Sequence, residues 1–444
     1  MNDYVSNVHH HSHRQGDYVT HTIHPVTIEA IRGSRILDSR GFPTIRVHLE
    51  LGDGTIVTGD APAGASTGAH EAHELRDGGT TYSGRDVSQA LHLLETDVAP
   101  MLTGQSWLSI AQVDAALAHL DGTLGYSRLG ANSVVATSIA AARAFASAAD
   151  LPLWRWIADV TGSSPRLPVP HFNVLNGGAH AANALDFQEF MIAPVAASSM
   201  TDAVRIGTDV YHALASIVRD RYKTLGLGDE GGFAPPISTP EEALDMLVEA
   251  IQAAGYEPGT DTVAVALDPA ANEFFHGDGT YKIADRTLDR TEMVSYYQDL
   301  TKSYPIRSIE DGFSEDDHDG WKALFGAVGD RVQLVGDDLY VTDPARIRAG
   351  GKDGLTNAAL IKPNQIGTVS RTFDAILAAR ETGMASMVSH RSGETIDTFI
   401  ADLVVGTGTG QIKSGAPARG ERVAKYNRLT EIEDTNKALP YGLI

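Results

Sequence analysis

Hydrophobic and polar positions alternate with period two from Val26 to about Gly64, and then the rhythm changes. IRVHLEL (45–51) and TIVTGDA (55–61) flank Gly52-Asp53-Gly54, which predicts a β-hairpin. Helical spacing follows. SIAQVDAALAHL opens with Ser109 and Gln112 in capping-box positions, and the Ala-rich stretch from Asn132 to about Ala149 reads as a helix buried on most sides. Strands followed by helices make an α+β unit of about 140 residues. The Pro-rich SSPRLPVP (163–170) marks its end.

Beyond that boundary, short apolar runs recur, and helix-like segments follow them. The runs are AVALDP, IRSIED, VQLVGDD, AALIKPN, SMVSHRSG and GQIKSG. Each stops on a residue able to do chemistry: Asp268, Glu310, Asp337, Lys362, His390 and Lys413. The last five lie roughly 25 residues apart, the length of one strand–helix unit. Helix starts are signalled at Thr239-Pro240-Glu241-Glu242 and at Asp343-Pro344. Repeated strand–helix units imply a parallel sheet, and in a β/α barrel the strand ends converge on one mouth. The expected division is therefore a His-containing tail over 1–25, a cap domain over 26–163, and a catalytic barrel over 164–444.

Composition narrows the chemistry. A chain of 444 residues suits two domains. Its net charge of −22 argues against nucleic acid and against anionic membranes. There are no cysteines, so disulfides and thiolate metal sites are excluded; a cytoplasmic setting fits. The best membrane-span candidate, VVATSIAAARAFASAA, is broken by Arg143 and falls short of the ~18 apolar residues a span needs. Six histidines crowd residues 9–24 without the apolar stretch of a secretory signal.

Three carboxylates at successive strand ends, Asp268, Glu310 and Asp337, would repel one another unless a cation sat between them. Oxygen ligands alone suit Mg²⁺. Lys362 and Lys413 join them at the mouth, where cationic neighbours would depress their pKa and make one a general base near neutral pH. Arg391 and Ser392, beside His390, suit a phosphate or a carboxylate. Two glycine-flanked stretches add acids: LGDEGG carries Asp229 and Glu230, and NVLNGGAHAANALDFQEF carries His180, Gln188 and Glu189. The loop Ala61–Ala72 is small, Gly- and Ser-containing, and suited to a water-excluding lid. A base, an opposed acid and a hard cation together suit removal of a proton α to a carboxylate.

Over residues 27–434 the chain resembles enolase, the glycolytic phosphopyruvate hydratase. LDSRG, GASTG, NVLNGG-H, QEFMIAP, GDEGGFAP, SIED, GDDL, IK-NQIGT, SHRSGET and QIK-GAPAR stand in the family's order. The resemblance implies a small α+β cap followed by an eight-stranded barrel whose first strands depart from the simple repeat. It implies Lys362 as proton acceptor, Glu230 as proton donor, and Asp268, Glu310 and Asp337 as ligands of a first Mg²⁺. Ser66 would help hold a second Mg²⁺ with the substrate. Lys413 would take the substrate carboxylate, Arg391 and Ser392 its phosphate, and His180, Gln188, Glu189 and His390 would line the site. The implied reaction is reversible dehydration of 2-phospho-D-glycerate to phosphoenolpyruvate, in a homodimer or larger assembly. Two alternatives stand beside it: a paralogue dehydrating a modified phosphoglycerate analogue, and a non-catalytic binding protein on the same fold. The sequence departs from the family pattern at Phe42, Ala63, Asn272, Gly312, His318 and Gly420.

Overall fold

A computed structural model describes residues 24–64 and 68–443. The amino-terminal part holds a four-stranded antiparallel sheet. Its three long strands are Val26–Leu37, Pro43–Leu51 and Ile56–Asp60, and the short Ser106–Trp107 lies at one edge. The predicted hairpin is present, with Arg46 opposite Asp60 and Glu50 opposite Ile56. Alternation explains the sheet's sidedness: Ile45, Val47 and Leu49 are buried, while the residues between them are only partly so. The helix Ala131–Ala148 packs across that buried face. Its one charge, Arg143, forms a two-point ion pair with Asp397 at 2.6 and 2.7 Å and also donates to the Thr58 carbonyl, tying the cap to the loop that follows Ser392.

The second part is a closed eight-stranded barrel. In chain order its strands are Val169–Asn176, Glu189–Pro194, Val263–Asp268, Ile306–Glu310, Gln333–Gly336, Ala358–Ile361, Ala385–Ser389 and Gln411–Lys413. The expectation of a uniformly parallel sheet needs one correction. Glu189–Pro194 runs antiparallel to both of its neighbours, because only the loop 177–188, with no crossover helix, separates it from the strand before it. Two helices, Met200–Tyr222 and Pro240–Ala253, then precede the third strand. From there the strand–helix repeat is regular, with Thr239 and Asp343 capping their helices as their side chains predict. A small three-stranded sheet over 275–288, unsignalled in the pattern, fills the loop after Asp268.

Among the described residues, no single helix is long and apolar enough to cross a membrane. The expected tail lies almost wholly outside the described residues.

Candidate active site

Strand direction decides what reaches the mouth. Asp268, Glu310 and Lys413 are the last residues of their strands, and Asp337, Lys362 and His390 come immediately after theirs. Glu189 is the first residue of the reversed strand, so its start lies at the same end; it pairs with Asp268 across the sheet. His180 sits in the turn Gly178–His180 before that strand.

Glu230 comes from a loop that lies against the first strand. Phe233 donates to the Val174 carbonyl and accepts from the Asn176 amide, both at 2.8 Å. Glycine is required twice here. Gly231 has φ +88°, and a Cβ on Gly232 would lie 2.5 Å from Asn176 Oδ1. The result is one buried pocket lined by His180, Gln188, Glu189, Glu230, Asp268, Asp337, Lys362, His390, Arg391, Ser392 and Lys413. Glu310 meets Lys413 at its edge, so all but one of the expected side chains come together. Ser66 lies outside the described residues.

The charges divide into two groups. In the first, Lys413 Nζ bonds Asp268 Oδ2 and Glu310 Oε1, each at 2.8 Å, and lies 3.2 Å from Glu189 Oε1. Lys362 Nζ contacts Asp337 Oδ2. The sequence suggested lysines of depressed pKa. The structure holds both up: burial disfavours their charge, but Asp337 beside Lys362, and Asp268, Glu189 and Glu310 beside Lys413, outweigh it.

The second group crowds acids against imidazoles. His180 Nδ1 lies 3.7 Å from Glu189 and 3.8 Å from Glu230; His390 Nε2 lies 3.2 Å from Glu230 Oε2. Asn173 Nδ2 donates to Glu230 at 2.9 Å. Burial and the Glu230 charge push Glu189 well above the usual carboxylate range. Burial opposes the charge on Glu230 too, but the imidazoles of His390 and His180 and the Arg422 guanidinium behind them hold it well below. The two carboxyls are thus pushed in opposite directions. Burial pushes His390 down to about 3, so its ring is neutral.

The family model for the enolase N-terminal domain matches residues 28–157, and that for the enolase C-terminal TIM barrel domain matches residues 164–439. The chain belongs to the enolase family. Membership makes metal dependence the question to put to the pocket. Asp268, Glu310 and Asp337 do not form one three-ligand cluster, because the two lysine ammonium groups are inserted among them. The compact ligand groups, with atoms within 4.8 Å of one another, are His180–Glu189–Glu230 and Asp311–Asp337–Asp338.

The expected trio still fits a hard cation of the kind this family uses. Its donors are all oxygens. Glu310 Oε2 is buried with no hydrogen-bond partner among the described residues. Burial and then Asp268 and Asp337 push the Glu310 carboxyl well above its usual range, a strain that a divalent ion relieves.

Three contributors to the site went unseen in the sequence. Asp311 adopts φ +41° and accepts from the Asp337 and Asp338 amides at 2.8 and 2.9 Å, fixing the loop that presents Asp337. Its signal was only the second acid of SIED. Glu71 takes both Arg391 Nη groups, at 2.8 and 3.2 Å, and the Gln365 amide at 3.2 Å; Gln365 in turn donates to Asp337 Oδ1 at 2.9 Å. Arg422 lies beneath His390. Of the departures, Ala63 keeps its place by pairing its backbone with Gly393, and Asn272 bridges Asp338 Oδ2 and the Glu315 amide, each at 3.0 Å.

Proposed function

We propose that this protein is a Mg²⁺-dependent lyase that reversibly dehydrates 2-phospho-D-glycerate to phosphoenolpyruvate through an enolate, as phosphopyruvate hydratases do in glycolysis. The observation that carries this reading is one buried pocket that holds both Lys362, in contact with Asp337, and the carboxyls of Glu189 and Glu230, pushed in opposite directions. Dehydration across a carbon–carbon bond needs a base on one face and an acid on the other.

Lys362 takes the C2 proton as the free amine, the form favoured once Asp337 turns its charge to a bound cation. Glu230 protonates the departing C3 hydroxyl; in the hydration direction it is the base that accepts a proton from water. Lys413 holds the substrate carboxylate and steadies the negative charge that grows there. Arg391 and Ser392 receive the phosphate, and His180, Gln188 and His390 orient the remainder. Asp268, Glu310 and Asp337 would hold one Mg²⁺, with a second arriving alongside substrate near Ser66. Bound Mg²⁺ would supply positive charge beside the substrate carboxylate and offset the three acids that hold it. The working unit is a homodimer or larger assembly in the cytoplasm.

The test is an absorbance assay for phosphoenolpyruvate formed from 2-phospho-D-glycerate, with and without Mg²⁺. Turnover near the ~10 s⁻¹ typical of enzymes, abolished by chelator, is expected. Turnover many orders lower would favour a modified phosphoglycerate as substrate.

A further inference from the structure

The carboxy-terminal helix Gly420–Thr435 places one arginine beneath the mouth. Arg422 is fully buried, at 0 % exposure. Its Nη1 lies 2.6 Å from both His390 Nδ1 and the Arg391 carbonyl. Its Nη2 donates to the Ser392 carbonyl at 2.6 Å and to the Asp229 carbonyl at 3.2 Å. One side chain thus touches the backbone of both loops that carry His390 and Glu230.

A guanidinium has donors only and keeps its charge. The His390 nitrogen facing it must be the bare, accepting one. In a neutral imidazole the proton is then on Nε2, the atom 3.2 Å from Glu230 Oε2. The N–H is not aligned closely enough for a full hydrogen bond, so it acts on the carboxylate as a dipole at that distance. A doubly protonated ring would set N–H against N–H at the arginine.

We propose that Arg422 is a positioning residue: it selects the Nε2–H tautomer of His390 and so aims a donor at Glu230, making Glu230 a stronger acid. The proposal rests on the reading of Glu230 as proton donor. A donor aimed at a carboxylate favours its ionised form, which is the form left once the proton has gone to the leaving group. Without the guanidinium, the Arg391 carbonyl loses its partner and can accept from Nδ1–H instead. The bare Nε2 would then face Glu230 and favour its protonated form, making it a poorer donor.

The experiment is ¹⁵N NMR of the full chain labelled at the histidine rings, with the His390 signals assigned by their loss in His390→Gln. The expected wild-type pattern is a bare Nδ1 and a protonated Nε2. Arg422→Met is expected to move the proton to Nδ1, and Arg422→Lys, again a donor-only cation, to restore the wild-type pattern. In Arg422→Met, net dehydration should fall about 10- to 100-fold while C2 proton exchange stays within about twofold.

A wild-type ring protonated on Nδ1 overturns the proposal, and that spectrum does not depend on Arg422→Met folding. An unchanged tautomer in folded Arg422→Met overturns it as well, as does an equal fall of exchange and dehydration. The expected spectrum with no dehydration would retire the proposed reaction and keep the tautomer assignment. The reverse pair would retire the assignment and keep the reaction.

Discussion

The two sides of the barrel mouth are built differently. The regular repeats, from Val263 onward, contribute Asp268, Glu310, Asp337, Lys362 and Lys413. There, cations and anions alternate in contact, and every lysine ammonium has a carboxylate within bonding distance. The irregular start of the barrel contributes His180 and Glu189, and the loop lying against it contributes Glu230; His180 faces both carboxyls and His390 faces Glu230. The difference teaches why two glutamates in one pocket behave oppositely. Like charges buried together cannot both ionise, so neighbours decide which keeps the proton. One side of the mouth is arranged to hold charge and the other to hold a proton. Lys413, 3.2 Å from Glu189, is the hinge between them.

Removing the base breaks this comparison most severely. Lys362→Ala should lower both C2 proton exchange and net dehydration about 10⁴-fold. Proton NMR of substrate in deuterated buffer reads the exchange, and exchange that persisted would show that the charged side is not where the proton leaves. Glu230→Gln should act on the other side alone. Dehydration should fall about 10²- to 10³-fold while exchange survives within a few fold. If the two rates fell together, the sides would not have separate roles.

The same asymmetry governs how much was legible in the sequence. On the regular side, each apolar run ends on its functional residue, so the repeat alone places Asp268, Glu310, Asp337, Lys362 and Lys413 at one mouth. On the irregular side, periodicity is silent. Glu189 begins its strand and is useful only because that strand runs backwards, a fact set by the missing crossover helix. Glu230 has no strand of its own, and its place depends on glycines close to the Asn176 backbone. The glycines flanking those residues marked them as candidate acids, and the ordered family motifs, not periodicity, gave them roles. Glu71, Asp311 and Arg422 stayed hidden because each acts through a contact distant in sequence or through a loop conformation. The expected lowering of the lysine pKa values supposed a divalent cation among the carboxylates, and residue spacing cannot say which carboxylate will lie against which ammonium.

Glu71 offers a smaller and more selective probe of the charged side. Its carboxylate engages both ends of the Arg391 guanidinium and, through Gln365, reaches Asp337. Glu71→Gln keeps the shape and removes the charge. Arg391 should then lose its fixed orientation, raising KM for the phosphorylated substrate about tenfold, the equivalent of one charge-assisted hydrogen bond, with a smaller change in kcat. Steady-state kinetics at saturating Mg²⁺ checks this. A fall in kcat alone would mean that Glu71 acts on Asp337 and not on Arg391.

A last test lies away from the mouth and leaves activity aside: it isolates the contribution of burial to a raised carboxyl. Asp114, in the cap helix Ile110–Asp121, is buried against the barrel helix Val369–Glu381. It accepts from Ser138 Oγ at 2.6 Å and from the Ser370 amide and hydroxyl at 2.9 and 2.6 Å. Burial pushes its carboxyl up to about 6 against the pull of those three donors, whereas Glu189 is raised by burial and by a second acid together. A carboxyl raised from its ordinary 3.8 keeps its proton in the folded chain between pH 4 and 6, after the unfolded chain has released it. The folded state therefore binds more protons across that window, and this contribution to stability falls as pH rises through it and is constant above. Two pKa units correspond to at most about 3 kcal/mol. Asp114→Asn removes the titration, so its stability relative to wild type should improve from pH 4 to pH 6 by up to that amount. Urea unfolding of both proteins at pH 4, 5, 6 and 7 measures the difference. Parallel pH profiles would show that three hydrogen bonds suffice to keep a buried carboxylate ionised, and the elevation of Glu189 would then fall to Glu230 alone.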